Sequence, residues 1–579
     1  MPPRDSEPAA VAPSAARRAA VLFLLSLVLA LILAWAVLQG RPAALPEVAA
    51  AQLPCVSYAP FRRAGDTPFD PALRIGPQAI EADLRLLKAV TGCVRTYGLD
   101  HGLDAVPAIA RKLGLRVVLG AWIGRDAAAN EIQLRRALDL AREYRDVVQL
   151  LVVGNEVLLR RELAPEALAA LLDRARRESP VPVSYADVWE FWLRHGPVLR
   201  EHVDVVAAHI LPYWEDEPVG SEQAVDHVYA VAAQLRQNFG SMPVFVAETG
   251  WPAAGRQRGP AVPGRFEQAH FVRAMLARQA AQPLQFNLIE AFDQPWKRAL
   301  EGAMGGAWGL FDSHGIQRVP LAGPLPPDAR WFWLPLGAMV GAGVGTLAGL
   351  MVAGRRRKQG ATGGTDLLAL SVLAAGGALI AAFALLQTQA LPLWSRNAWE
   401  WAAGGTALLL SLISGAAAAG RLAQVLQHGV DRARVGVAGI FTAPAATGWR
   451  LLAVAQFGLL FLAAVDALGL VFDARYRPLP WPLIAAPALL LSALAWLGDR
   501  LPAAAREEKL LAAACAVCAV LVAILEGPAN TQALLYAVLL LALAGASGWP
   551  HRAAPVPDAA ARNSASPASS AAGAAQRVE

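Results

Sequence analysis

The chain has 579 residues, of which 55% are hydrophobic, and its formal net charge is +6. A chain of this length and hydrophobicity is not a single soluble domain. Uncharged apolar runs of about 20 residues, enough to span a bilayer, lie at 19–38 and through much of 331–548, whereas residues 50 to 330 have mixed charges. Because the basic residues flank the apolar runs, they indicate membrane topology and not a nucleic-acid-binding surface.

The first apolar run is predicted to be a transmembrane anchor at 19–38, preceded by a cytoplasmic segment at 1–18. Cleavage as a signal peptide is the alternative, since Arg17 and Arg18 precede the run and RPAALPEVAA follows it. The run is longer than the roughly 7–15 apolar residues of a signal peptide, which favours an anchor that is not removed.

Residues 50–325 alternate short β-rich runs with amphipathic helical patterns. The predicted strands are 55–59, 93–97, 116–122, 147–155, 181–186, 203–210, 242–248 and 284–292. Eight such alternations within about 280 residues predict an α/β domain with a closed (β/α)8 TIM barrel. An open doubly wound sheet is the alternative, and the lack of a glycine-rich phosphate loop after the first strand weighs against it.

Polar and aromatic residues gather where the predicted strands end, the edge at which TIM barrels carry their active sites. They are Tyr58, Arg95, Tyr97, Trp122, Asn155, Glu156, Tyr185, Asp187, His209, Tyr213, Glu248, Trp251, Glu290, Asp293, Trp296 and Lys297. The strand bodies are Val, Leu, Ile and Ala, so this concentration at one edge predicts an active site there.

Glu156 follows the fourth predicted strand and Glu248 ends the seventh, on opposite sides of the barrel mouth. Glycoside hydrolysis needs two carboxyl groups, one on the glycosidic oxygen and one at the anomeric carbon. Neither a metal-binding spacing of His, Cys and Asp nor a nucleophile elbow appears in the sequence. We therefore predict a glycosidase-type site that uses no metal and no cofactor.

Several motifs resemble one known family. VVGNE (152–156) and FVAETGWP (245–252) are similar to the catalytic motifs of glycoside hydrolase family 17, the β-1,3-glucanase family of clan A. SYAPFR (57–62), VRTYG (94–98), HILPYW (209–214), IEAFDQPWK (289–297) and GAWGLFDSHGIQR (306–318) match further segments. The resemblance covers about residues 53–320.

The resemblance implies a retaining double displacement, with Glu156 as general acid/base and Glu248 as nucleophile. An acid in this role should have a raised pKa, which we expect for Glu156. The implied substrate-binding residues are Tyr58, Arg95, Tyr97, Asn155, Tyr213, Trp251, Glu290, Trp296 and Lys297.

More specific roles follow for some of these residues. Asn155 is expected to bond a sugar hydroxyl near the reacting carbon, and Tyr213 to orient Glu248. Glu290 and Lys297 would hold further hydroxyls. Two alternatives stay open: Trp251 and Trp296 either stack on sugars or pack at the rim, and Arg95 either orients a catalytic carboxylate or forms a salt bridge.

The four cysteines form two pairs. Cys55 and Cys93 begin two neighbouring predicted strands of the outer domain, where either a disulfide or two buried thiols fits. Cys515 and Cys518 lie inside a predicted span, where a small apolar role is favoured over metal binding.

Residues 331–549 are predicted to be a membrane domain of about seven helices, giving eight spans with the anchor. The spans lie near 331–353, 366–388, 399–419, 450–472, 480–498, 509–526 and 531–549. Eight spans place every strongly basic loop, including 355–358, on the cytoplasmic side. This predicts a bacterial inner-membrane protein with a periplasmic barrel, and a disordered cytoplasmic tail at 550–579.

The predicted function is β-1,3-glucan transglycosylation or hydrolysis, because bacterial proteins with this arrangement resemble β-glucan synthase-type proteins of periplasmic glucan metabolism. The expected partners are a β-glucan, the lipid bilayer, and a membrane glucan synthase or export complex. A catalytically silent glucan-binding scaffold is one alternative. A transporter is another, because Asp466 is an ionisable residue within a predicted span; a helix–helix hydrogen bond also accounts for it.

Overall fold

The computed structural model describes the chain except for short gaps and the two termini. The described residues are 13–48, 52–358, 367–430, 434–441, 447–501 and 505–548. The predicted disordered tail at 550–579, and residues 1–12 of the predicted cytoplasmic segment, lie outside them.

Eight parallel strands form a closed barrel in the order β1 to β8, and β8 pairs with β1 to complete it. The strands are β1 Cys55–Ser57, β2 Cys93–Arg95, β3 Arg116–Ala121, β4 Val148–Asn155, β5 Val183–Val188, β6 Val205–His209, β7 Val244–Thr249 and β8 Phe286–Leu288. All eight predicted strands are present, and the predicted TIM barrel is confirmed.

Helices surround the barrel and connect its strands. In the barrel they are α2 Pro77–Leu87, α3 Val106–Leu113, α4 Ala127–Glu143, α5 Pro165–Glu178, α6 Trp189–Leu199, α7 Ala224–Phe239, α8 Arg265–Ala281 and α9 Arg298–Gly305; α1 is Ala15–Gln39. Local signals set their ends: the Asp126 carboxylate accepts from the first amides of α4, and Pro165 begins α5. These two helices thus begin at residues that favour a helix N-terminus.

The strands are apolar because both faces are covered, by helices outside and by facing strands inside. In β4, residues 150–155 are all buried. Gly120 of β3 is a position of close approach, since a Cβ there would lie 2.3 Å from the carbonyl oxygen of Thr96. Tight packing of this kind fixes the strand ends, and therefore the site, to the barrel frame.

Cys55 and Cys93 form a disulfide between the first residues of β1 and β2. This settles the choice between a disulfide and two buried thiols. Cys515 and Cys518 are free and buried in the helical part of the chain.

The C-terminal part is a bundle that we call the helical domain. It contains α10 Trp333–Lys358, α11 Leu367–Trp394, α12 Ala398–His428, α13 Thr447–Phe472, α14 Trp481–Trp496, α15 Arg506–Glu526 and α16 Thr531–Gly548. Helix α1 packs against α10 and α11 through Ala36, Leu334 and Ala378.

Seven helices among the described residues are long and apolar enough to cross a membrane. They include α1 and all of the helical domain except α14, which has 16 residues. At 1.5 Å per residue such a helix is shorter than the roughly 30 Å hydrocarbon core of a bilayer. The predicted span near 480–498 therefore exists as a helix, but a short one that lies buried among its neighbours.

Loops of the helical domain alternate between a side that faces the barrel and the opposite side. Pro392, Ala474 and Glu526 contact the barrel through Arg298 or Arg256. Ala474 lies in the loop before α14 and Glu526 is the last residue of α15. The start of α14 and the end of α15 therefore both face the barrel, so these two helices run in opposite directions.

Asp466 lies in α13, partly buried, and lines a small cavity with Tyr536 of α16. Within the described residues, the Tyr536 hydroxyl has no hydrogen-bond partner. A second charged group is farther along the bundle, where Arg421 of α12 pairs with Asp499 at 2.9 Å.

We expect the Cys55–Cys93 disulfide to stabilise the barrel substantially, because it closes a segment with a sequence separation of 38. Replacing both residues by Ala should lower the free energy of unfolding of the barrel by about 3–4 kcal/mol. Urea denaturation of the full chain, followed by tryptophan emission, measures this change. The matched control is Cys515→Ala with Cys518→Ala, which removes two unbridged cysteines; an equal effect of both double variants would contradict the prediction.

Candidate active site

Glu156 reaches the barrel mouth because the end of β4 is irregular. The register with β5 shifts between Val152 and Asn155, and Gly154 has a φ of +87°. Glu156 itself has a φ of +55°, a conformation that non-glycine residues rarely adopt and that is often found at functional sites. Its amide donates to the carbonyl of Ala186 at 2.7 Å, which holds the turned backbone in place.

Glu156 and Glu248 meet across the mouth, with His209 between them. Nδ1 of His209 lies 2.9 Å from Oε1 of Glu156, and its Nε2 lies 3.5 Å from Oε1 of Glu248. One carboxylate oxygen of each glutamate lies within 4.8 Å of the other and of a ring nitrogen of His209. The Glu156 side chain is 26% exposed and that of Glu248 is 6% exposed, so Glu156 is the more open of the two.

Arg95, at the end of β2, connects both glutamate-bearing strands. Its Nη1 donates to the carbonyl of Ala247 at 2.7 Å and to Oε1 of Glu248 at 3.1 Å. Its Nη2 donates to Oδ1 of Asn155 at 2.6 Å. The guanidinium is 1% exposed. Both alternatives posed for Arg95 thus describe one contact, a buried salt bridge that orients the Glu248 carboxylate.

Opposing effects set the pKa of Glu156. Burial raises it, but the hydrogen bond and charge of His209, with the charges of Arg160 and Arg95, lower it more strongly. The pKa of Glu156 therefore lies below its ordinary value in the unliganded site. The expectation of a raised pKa for Glu156 is wrong for this state, because His209 contacts the carboxylate and stabilises its ionised form.

Buried Glu290 and partly buried Lys297 form an ion pair near the two glutamates. Nζ of Lys297 lies 3.0 Å from each carboxylate oxygen of Glu290. Burial lowers the pKa of Lys297, but Glu290 and Glu301 raise it more, so the ammonium stays charged. Burial raises the pKa of Glu301, a residue of α9 whose pKa is also influenced by the charges of Glu156 and Glu248.

Tyr97 lies against the Arg95 guanidinium, whose carbon is 4.6 Å from the ring centre. Its hydroxyl is 2.7 Å from Oγ of Ser57, which accepts from Asn287 at 2.6 Å. Burial raises the pKa of Tyr97 well above its ordinary value. These uncharged side chains form a hydrogen-bonded network that packs against Arg95 through the Tyr97 ring.

The structure buries three of the residues that are expected to bind substrate. Tyr58 is fully buried and its hydroxyl donates to Asp83 at 3.1 Å. Tyr213 donates to the carbonyl of Arg256 at 2.6 Å, so it is not the group that orients Glu248. Trp251 is 1% exposed and donates to the carbonyl of Val262, so its ring has no open face for a sugar. All three are buried.

Other aromatic side chains are exposed at the mouth. Phe69 and Trp122 are 68% and 42% exposed, and Trp296, which is partly buried, packs edge-on against Phe69. The guanidinium of Arg160 lies 4.3 Å from the ring centre of Trp122. These residues come from loops after β1, β3 and β8, and they offer the apolar surface that a sugar ring requires.

The structure shows contacts at the site for residues that have no specific role in the sequence analysis. His209 was identifiable as a strand-end residue, but its position between two carboxylates depends on barrel closure. Ser57 lies inside the predicted strand 55–59 although it ends β1, Asn287 lies inside β8, and Glu301 lies on α9, so the predicted strand ends select none of them. Asp187 accepts from the hydroxyl of Tyr185 beside Glu156, and burial raises the pKa of Asp187 to about 6.

Glu156, His209 and Glu248 are residue types that also bind divalent cations, and their ligand atoms are close enough to do so. The sequence did not predict this set, because its members are far apart in the chain. The contacts to His209 and Arg95 account for the charges of the two carboxylates without an ion.

The barrel is similar to several known proteins. Residues 55–309 match the model of the BtgE/BtgC glycoside hydrolase domain. The probable β-glucosidase btgE of Aspergillus fumigatus is 26% identical over 264 residues, which are 45% of this chain and 45% of that protein. The glucan 1,3-β-glucosidase of Schizosaccharomyces pombe is 27% identical over 232 residues, 37% of this chain and 72% of that protein.

Among solved structures, the family 17 β-1,3-glucanosyltransferase of Rhizomucor miehei is 22% identical with a TM-score of 0.41. It covers 47% of this chain and 98% of that chain. Residues 55–309 are therefore similar to glycoside hydrolase domains of the BtgE/BtgC type, which confirms the predicted resemblance to a β-glucan-active glycoside hydrolase family. The chain spans about half the length of the btgE relatives.

Arg95 is expected to matter for stability because it joins β2, β4 and β7 from a buried position. Arg95→Met should cost about 3–5 kcal/mol in the free energy of unfolding, since it leaves Glu248 as an unpaired buried charge. Arg135→Met is the matched control, because Arg135 forms an exposed pair with Glu131 and should cost under about 0.5 kcal/mol. Equal urea midpoints for the two variants would contradict this assignment.

Proposed function

We propose that the chain is a retaining enzyme acting on β-1,3-linked glucan, with transfer to a glucan acceptor favoured over hydrolysis. The observation that carries this proposal is the placement of Glu156 and Glu248, with oxygens within 4.8 Å, at the carboxyl ends of β4 and β7. Retaining glycosidases hold their carboxyl groups about 5–5.5 Å apart, so that one can attack the anomeric carbon directly. The names of the matched relatives support a β-glucan substrate.

In the first step, the Glu248 carboxylate attacks the anomeric carbon while the glycosidic bond breaks. Glu156 gives its proton to the leaving oxygen, and a glycosyl ester forms on Glu248. Arg95 holds Oε1 of Glu248 at 3.1 Å and so directs the carboxylate toward one face of the sugar. Lys297, which keeps its charge beside Glu290, is positioned as a donor for a sugar hydroxyl.

In the second step, an acceptor hydroxyl gives its proton to Glu156 as its oxygen attacks the anomeric carbon, and Glu248 leaves as a carboxylate. Water as acceptor gives hydrolysis, and a glucan hydroxyl gives transfer. We favour transfer because the apolar helices suggest a setting in glucan synthesis or export. The proposal places the barrel in the periplasm, anchored by helices α1 and α10–α16 in the inner membrane of a bacterium.

Substrates with different leaving groups distinguish the proposed roles of Glu248 and Glu156. Glu248→Gln should lower kcat on laminari-oligosaccharides at least about 10³-fold, because no nucleophile remains. Glu156→Gln should lower it by about 10²–10⁴-fold, but much less on an aryl glucoside whose leaving group needs no proton. Chromatography of the products measures both rates and shows whether longer chains form.

The control for this pair is Glu131→Gln, on the outer surface of α4, which should retain the full rate. Treatment with a chelator should also leave the rate unchanged, because the proposed mechanism uses no metal. Unchanged rates in Glu248→Gln would reject the catalytic assignment of Glu248, whereas no reaction in the wild-type chain would favour a silent glucan-binding scaffold.

His209 should set the alkaline limb of the pH profile of kcat/KM, which reports ionisation of the acid in the free enzyme. His209 favours the ionised form of Glu156, so its removal leaves burial as the dominant effect and raises the pKa of Glu156. The alkaline limb of His209→Gln should therefore move to higher pH. His202→Gln, which alters a histidine paired with Asp173 outside the barrel, is the control; a downward shift in His209→Gln would contradict the prediction.

A further inference from the structure

The helical domain contacts the catalytic face of the barrel. Loops after β6, β7 and β8 all participate. After β6, the Trp214 ring packs edge-on against Tyr476 at 5.9 Å. After β8, Gly302 lies so close to Tyr476 that a Cβ would be 2.3 Å from its carbonyl oxygen. The strongest contacts come from the segment after β7, residues 250–264, which we call the β7 loop.

The β7 loop is bound by the turn between α15 and α16. Arg256 forms an ion pair with Glu526, in which the side chains are 3% and 11% exposed, and donates to the carbonyl of Ala474 at 2.7 Å. Asn530, itself fully buried, donates to Glu526 at 2.7 Å and to the carbonyl of Gln257 at 3.0 Å.

Gln257 has every polar group occupied by residues of this turn. Its amide donates to Oε1 of Gln532 at 2.9 Å, and its Nε2 donates to the carbonyl of Ala529 at 2.9 Å. Its Oε1 accepts from Thr531 at 3.0 Å and from the amide of Gln532 at 3.2 Å. A side chain and backbone bound in this way cannot move without breaking several buried hydrogen bonds.

The same loop is tied to the catalytic centre. The carbonyl of Arg256 accepts from the Tyr213 hydroxyl at 2.6 Å, and Arg258 donates back to the carbonyl of Tyr213 at 2.6 Å. The Tyr213 ring packs edge-on against Trp251, with ring centres 5.7 Å apart. Trp251 lies three positions after Glu248 in the sequence and two positions after Thr249, the last residue of β7. Contacts thus run without interruption from the helical domain to the nucleophile strand.

We propose that segment 526–532 of the helical domain is a positioning element of the active site. It holds the β7 loop through Arg256 and Gln257, and so fixes Tyr213, Trp251 and the end of β7 that carries Glu248. The inference rests on the proposed function for its catalytic consequence. It gives the helical domain a role beyond anchoring, because a competent barrel mouth requires docking to it.

The geometry also predicts the side from which a glucan enters. The helical domain covers the mouth beside β6, β7 and β8, whereas exposed Phe69 and Trp122 follow β1 and β3. Substrate therefore approaches along the uncovered side. Residues 526–532 act through the β7 loop and do not touch the substrate.

The test uses the full chain in detergent or nanodiscs, with Glu526→Gln and Gln257→Ala as variants. Hydrogen–deuterium exchange should increase across 252–262 and extend to 249–251. On laminari-oligosaccharides kcat/KM should fall by about 10–100-fold, the cost of a misplaced reacting group. The double variant Arg256→Gln with Glu526→Gln should lower kcat/KM no further than Glu526→Gln alone. The single variant leaves the Arg256 charge buried and unpaired, whereas the double variant removes that charge as well.

Asp216→Asn is the matched control, because its pair with Arg475 lies at the same interface but is 96% exposed at Asp216. It should change neither exchange nor kcat/KM. A general loss of structure would instead increase exchange in α11 and α12 as well, and a global increase of that kind would overturn the positioning role.

Unchanged exchange at 249–262 in both variants would overturn the proposal, and so would increased exchange with unchanged kcat/KM. An inactive wild-type chain would reject the proposed function separately. In that case exchange at 249–251 still decides whether the helical domain positions the end of β7.

Discussion

The buried Arg95 guanidinium is the contact on which the geometry of the site depends. From the end of β2 it reaches Asn155 at the end of β4 and Glu248 in β7, three strands that are distant in sequence. A carboxylate as buried as that of Glu248 needs a compensating positive charge. Barrel closure supplies it, and the same closure brings His209 between the two glutamates. Fold and chemistry are therefore set by one constraint: eight strand ends meet around a small polar centre within an apolar frame.

The features that depend on local pattern were predictable. Runs such as LLVV in β4 are apolar because both faces of the strand are buried, so their ends, and with them Glu156 and Glu248, could be located from the sequence. Features that depend on packing between distant segments could not. The burial of Trp251 and the hydrogen bond of Tyr213 come from the β7 loop folding back over them. The lowered pKa of Glu156 comes from a histidine two strands away.

The helical domain extends this dependence beyond the barrel. Its loops cover the β6 to β8 side of the mouth, and Gln257 has its polar groups bound by the turn after α15. Composition alone separated the two domains, since apolar runs and mixed-charge segments occupy different parts of the chain. It gave no sign that they share an interface at the catalytic face, because the residues involved are ordinary loop residues. The short helix α14 shows the same limit: its apolar run was recognisable, but its length and burial depend on its neighbours.

The stereochemistry of the first product tests the central claim most directly. Proton NMR during the first minutes of reaction, before mutarotation, resolves the anomeric configuration of a released sugar or of a newly formed linkage. Two displacements, by Glu248 and then by an acceptor activated by Glu156, predict that the β configuration of the substrate is kept. An initial α product would mean a single displacement, and would contradict the pairing of Glu156 and Glu248 that the account requires.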